Sequence, residues 1–172
     1  MAIGRAGGGL KAVAEAVNLL VTPPTRGRPG QVEALNKASV ALLSAHLQGF
    51  IEDLFEEAAG KLLAGKVPDV QTLVSNARLR GNPTSENITR LFATAGFPDV
   101  LDGISWQKCT NATVRSRLKG LNELRNRIVH GGTETVGKWQ VDHFKAFVEN
   151  LAIRLDRKVA TVVRSVTGVA PW

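Results

Sequence analysis

VEALNKASVALLSAHLQGFIEDLFEEAAGKLLA, residues 32–64, decides the fold class. Leu35, Leu42, Leu43, Leu47, Phe50, Ile51, Leu54, Phe55, Ala58 and Leu62 recur at steps of three and four. That spacing lines one side of an α-helix. The apolar stripe is wide, as expected of a helix at the centre of a bundle. Glu52, Asp53, Glu56 and Glu57 fall on its other side, and Gly65 suits its end.

Outward from this helix the same period returns. Val114, Leu118, Leu121, Leu124 or Arg125, and Ile128 mark a helix that starts near Asn111 or Thr113 and stops at Gly131-Gly132, a strong termination signal. Thr133 to Lys138 reads as a loop. Phe144, Phe147, Val148, Leu151, Leu155, Val159, Val162 and Val163 predict a last helix over about 141–166. Between the long helix and the 111–130 helix the pattern is shorter. Val70 to Leu79 fits a short helix capped by Asp69, and Gly81-Asn82-Pro83 a turn. Thr84 or Ser85 then caps a helix to about Ala95. Gly96-Phe97-Pro98 stops it, and 99–109 is irregular, with one helical turn at Val100-Leu101.

Before residue 30, positions 1–9 are Gly-rich, 10–21 carry a short amphipathic pattern, and Thr22 to Gly30 hold three prolines and two glycines, a loop. No run of period two is long enough for a sheet. The chain therefore reads as all-α: four principal helices, with short ones inserted in 68–105. It divides into an N-terminal short helix and Pro/Gly loop over 1–30 and a helical domain over 31–166.

Composition narrows the function classes. The net charge of +7 is spread along the chain. It permits phosphate contacts with nucleic acid, and plain solubility explains it equally well. Cys109 is the single cysteine, so no intrachain disulfide is possible, and no Cys/His cluster has metal-ligand spacing. No metal or cofactor is called for, and a reducing cytoplasm is the natural compartment. Residues 10–21 carry Lys11, Glu15 and Asn18, which fits neither a signal peptide nor a membrane span.

The chemistry gathers at the end of the 111–130 helix. Asn126 and His130 are four residues apart and share a face. Arg125 lies about 100° around the axis from Asn126, so the three line one edge of the helix end. An imidazole can move protons near neutral pH. A guanidinium can hold a phosphate through two parallel bonds, and an asparagine can orient either. Together they suffice to cleave RNA without a metal. The 2′-hydroxyl attacks the neighbouring phosphate, a base takes its proton, and a cation holds the phosphorane. One His cannot easily serve both sides of an in-line displacement, so two copies related by a two-fold axis are a chemical expectation. The bland alternative is that cations at a helix C-terminus merely suit its dipole.

These residues also carry a resemblance. Arg125 to Gly132, RNRIVHGG, resembles the R-x4-6-H motif of HEPN domains, with Asn126 as the polar residue after the arginine. Ala41 to Leu54, ALLSAHLQGFIEDL, resembles the second helix of the RiboL-PSP and MAE-type HEPN groups. The likeness covers about residues 30–165. It implies a HEPN-type helical bundle, a homodimer with motif helices face to face, and metal-independent endoribonuclease activity. It also implies a setting in toxin–antitoxin, abortive-infection or phage-defence systems, with an antitoxin or defence protein as partner. By motif match Arg125 and His130 are catalytic and Asn126 supports them. Some HEPN domains are inactive modules that bind a partner protein or RNA, which is the alternative reading.

Further residues carry weaker expectations. Arg115, Arg117 and Lys119 precede the motif on the same helix and could track an RNA backbone or simply solvate the helix. Arg127 points away from the others, to solvent or a phosphate. Glu52 and Asp53 could orient Arg125 or form a solvated acidic face. His46 reads as an ordinary helix histidine and His143 as exposed. Trp106, Trp139 and Trp172 could stack bases, though scattered tryptophans are more often packing anchors.

Overall fold

The computed structural model describes residues 29–169 and 171. The short helix expected at 10–21, the loop before Pro29 and Trp172 lie outside the described residues. Five helices and no strand occur among those described: α1, Pro29–Leu62; α2, Val70–Asn76; α3, Ser85–Ala93; α4, Asn111–Val129; and α5, Lys138–Thr167. The fold is all-α, as the periodicity requires.

α1 is the central member. Val40, Leu43, Leu47, Ile51, Leu54 and Phe55 are wholly buried. They pack chiefly against α5, then against α4. The α5 stripe of Phe147, Val148, Leu151, Leu155, Val159 and Val163 meets them, and Val114, Leu118 and Leu121 close the core from α4. Two members of the α1 stripe are not buried: Leu35 is 36% exposed and Leu42 half-buried. The helix also starts earlier than read. Pro29 and Gly30 join its first turn, because proline's fixed φ suits a first turn whose N–H groups have no helical partner.

The short helices take their predicted caps. The Asp69 carboxylate accepts from the Thr72 amide at 2.9 Å, and the Thr84 hydroxyl from the Asn87 amide at 3.2 Å. Hydrogen bonds from the Thr72 hydroxyl and amide hold the Asp69 carboxyl below its usual 3.8. α2 ends at Asn76, three residues short of the expected Leu79. The Leu79 amide instead donates to Glu52 Oε1 on α1 at 3.1 Å, so residues 77–83 run as an irregular strap that turns at Gly81. α3 buries Ile88, Leu91 and Phe92, and Phe92 meets Phe55 edge-on at 5.5 Å. No helix among the described residues is long and apolar enough to cross a membrane.

Candidate functional site

α4 begins at Thr110, whose hydroxyl accepts from the Thr113 amide at 3.2 Å. It ends in a Schellman motif. The Gly132 amide donates to the Arg127 carbonyl at 2.7 Å and the Gly131 amide to the Ile128 carbonyl at 3.3 Å. Gly131 takes φ +80°, a conformation that costs other L-residues energy. A Cβ on Gly132 would run into the Glu134 carboxylate and lie 2.8 Å from the Arg127 carbonyl oxygen. Two adjacent glycines are thus required for different reasons. They fix His130 as the capping residue, its amide bonded to the Asn126 carbonyl at 3.0 Å. The His130 side chain is exposed.

Arg125 and Asn126 are half-buried one turn earlier. Arg125 Nη1 donates to Asn126 Oδ1 at 3.2 Å. Asn82 Nδ2, from the strap, donates to the same oxygen at 2.7 Å. The Asn126 carbonyl is therefore committed to two donors, and its Nδ2 is left as a donor. This fixes which way the amide faces and restrains the guanidinium beside it.

The strap is itself held by amides. Asn87 Nδ2 donates to the Asn82 carbonyl at 2.9 Å and the Arg80 carbonyl at 3.0 Å. Asn122 on α4, only 3% exposed, donates to the Pro83 carbonyl at 3.0 Å and accepts from the Ser44 hydroxyl at 3.4 Å. Buried polar groups are stable only when partnered, and Asn122 is. None of Asn82, Asn87 and Asn122 was singled out from the sequence. Asn122 carried a readable signal, a polar residue inside the apolar stripe between Leu121 and Leu124. The Asn82–Asn126 pair spans 44 positions and had none.

The other expected site residues are placed differently. The Glu52 carboxylate serves Leu79 and Gln48, the latter at 3.3 Å. It forms no bond to Arg125, whose hydrogen-bond partner is Asn126. Asp53 is exposed on α1. Arg127 Nε pairs with Glu134 at 2.6 Å, so this cation steadies the 131–134 turn rather than standing free. Arg115 pairs with Asp102 at 2.6 Å and Lys119 reaches Glu123 at 3.8 Å. Arg117 is half-buried on a different side of α4. Trp106 packs on Phe147 at 6.0 Å and under Arg154 at 5.3 Å, a packing anchor. Trp139 is 71% exposed. His46 is half-buried and His143 exposed.

A groove of about 570 Å³ runs between the start of α3 and α4, with Thr84, Arg115, Lys119 and Asn126 on its walls. Glu86 and Glu123 line it too. Its cations are thus offset by carboxylates, and Asn126 stands at its edge. No group of three His, Cys, Asp or Glu side chains suited to a metal occurs among the described residues.

Comparison with known proteins gives one family. The RiboL-PSP-HEPN model matches residues 10–161, a span that reaches 20 positions further towards the N-terminus than residue 30, where the likeness read from the motifs begins. No curated protein matches the chain, and no solved structure does.

Proposed function

The chain belongs to the RiboL-PSP-HEPN family, and from that premise we propose that it is an endoribonuclease that needs no metal. Membership of a HEPN family points to nuclease or other RNA-related work. The observation that carries the finer reading is the Arg125–Asn126 pair, bonded at 3.2 Å and braced by Asn82, one turn before an exposed imidazole at a glycine-fixed helix end.

In this reading Arg125 grips the scissile phosphate, and Asn126 Nδ2 adds a neutral donor to it. His130 takes the proton of the 2′-hydroxyl as O2′ attacks phosphorus. The P–O5′ bond breaks, and O5′ leaves with a proton from a second acid. The products are a 2′,3′-cyclic phosphate and a 5′-hydroxyl, and DNA is inert for want of the nucleophile.

The second acid is the His130 of another copy in a homodimer. Val129, next to His130, is 52% exposed, and Trp139 at the start of α5 is 71% exposed. An exposed apolar side chain beside the polar site, as Val129 is, suits a surface that a second copy covers. The setting we propose is the cytoplasm, with the enzyme acting as a toxin or phage-defence effector restrained by a partner protein.

The test is direct. Labelled RNA is incubated with the protein in excess EDTA and the new ends are mapped. Cleavage with cyclic phosphate ends is expected, abolished by His130→Ala and by Arg125→Ala. Mixing the two inactive variants should restore part of the activity if the site is shared across a dimer. Intact RNA at high protein concentration would return the chain to the class of binding modules.

A further inference from the structure

The strap has a second side. There, Arg78, Arg80 and Arg90 converge on a cleft of about 260 Å³, with Asn87 and Thr94 beside them. No carboxylate lines this cleft. Arg80 and Arg90 are exposed and have no ion-pair partner among the described residues. Arg78 pairs with Glu56 at 3.9 Å.

The contrast with α4 is informative. Arg115, Lys119 and Arg127 each face a carboxylate, so the positive potential there is locally cancelled. Around the strap the cancellation is partial: Arg78 meets Glu56 at 3.9 Å and Glu86 lies one turn before Arg90 within reach of its charge, while Arg80 pairs with no carboxylate among the described residues. Three cations around one concavity that no carboxylate lines repel one another and focus a field into the surface between them. A guanidinium fork matches the oxygens of a phosphate. The cleft has room for one phosphodiester and part of its sugar.

Position selects the polyanion. Asn87 Nδ2 donates to the carbonyls of both Arg80 and Asn82, and Asn82 donates to Asn126. The cleft and the Arg125–Asn126 pair are therefore linked through one short, pinned segment. A strand whose scissile phosphate sits at Arg125 can cross the strap and set a neighbouring phosphate among these arginines.

We propose that Arg78, Arg80 and Arg90 form a second phosphate site that grips the RNA strand away from the bond being cut. This rests on the ribonuclease reading for its substrate, and adds a site that the R-x4-H motif does not contain.

The test uses the full chain carrying His130→Ala and a fluorescent 2′-O-methyl RNA that cannot be cleaved. Binding is titrated across a range of KCl for this protein and for the same protein with Arg80→Gln and Arg90→Gln. Single-strand binding loses about 0.7 in log–log salt slope per phosphate contact, so the slope should flatten by about 1.4. Affinity at low salt should fall by roughly tenfold or more. A charge-matched control, Arg157→Gln with Arg164→Gln on the exposed side of α5, should change the slope far less. Arg90→Glu alone, at an exposed site, repeats the test with a reversed charge. An unchanged slope, an equal effect of the control, or no RNA binding by the intact chain overturns the proposal. Cleavage that persists while binding ignores Arg80 and Arg90 would remove this site and leave the nuclease intact. RNA binding that depends on them in a chain that cuts nothing would do the reverse.

Discussion

Asn82 Nδ2 and Asn126 Oδ1 lie 2.7 Å apart, although 44 positions separate the two residues in the chain. This single bond joins the strap between α2 and α3 to the helix end that carries Arg125 and His130. It sets which atom of the Asn126 amide meets Arg125.

Asn82→Ala should lower kcat for RNA cleavage roughly fivefold, since about 1 kcal/mol of lost hydrogen bonding corresponds to about that factor. KM should move less. Asn82→Asp, which offers no donor, should behave like the alanine variant, and Asn82→Ser should recover part of the rate. Equal loss in the serine and aspartate variants would point to a merely structural role.

Asn122 should matter to stability more than its exposed neighbours. Asn122→Leu removes the donor to the buried Pro83 carbonyl and strands the Ser44 hydroxyl. A cost of about 2–3 kcal/mol is expected, read as a lower urea midpoint. A loss under about 0.5 kcal/mol, the usual range of surface changes, would show that the strap is held by other means.

Glycines on α4 and at its end should respond in opposite directions. Gly120 lies within α4 with nothing within 4 Å of a built Cβ, so Gly120→Ala should stabilise by about 0.5–1 kcal/mol. Gly131→Ala should destabilise by about 1–2 kcal/mol, because its φ of +80° is left-handed. Gly132→Ala should cost more still and displace Glu134. Thermal unfolding of the three variants would check the order, and a stabilising Gly131→Ala would contradict the Schellman geometry.

Asp69 supplies a pH signature. Its carboxyl is held below 3.8 by the Thr72 hydroxyl and then the Thr72 amide. The stabilisation is therefore present above 3.8 and is lost as pH falls through the lower folded value. In an acid titration followed by NMR, the Thr72 amide should shift with a midpoint below 3.8. A midpoint above it would mean the cap is absent in solution.

The helices were legible in the sequence because each buries one continuous stripe. Leu43, Leu47, Ile51 and Leu54 on α1, and Leu151, Leu155 and Val159 on α5, are periodic and fully buried. The caps at Asp69 and Thr84 were legible for a local reason, a side chain bonding an amide three residues on; Thr110 caps α4 in the same way, next to the start expected near Asn111 or Thr113. Arg125, Asn126 and His130 stood out because they share one helix end. What brackets them did not. Asn82 meets Asn126 only after α1 and α4 have packed, and Leu79 leaves the expected helix because Glu52 captures its amide. Arg80 and Arg90 read as scattered charge until the turn at Gly81 brings them to one cleft.

The brace around Arg125 is made of carboxamides: Asn82, Asn87, Asn122 and Asn126. None of these groups titrates in water, and an uncharged bond is not weakened by ionic screening as an ion pair is. Acidity and salt can thus act at this end of α4 through the imidazole, the guanidinium, the Arg127–Glu134 pair and the Glu52 carboxylate that holds Leu79, while the carboxamide bonds beside Arg125 stay the same. Above the carboxylate range, a rate profile against pH would then record proton transfer with the Asn82–Asn126–Arg125 contacts unchanged.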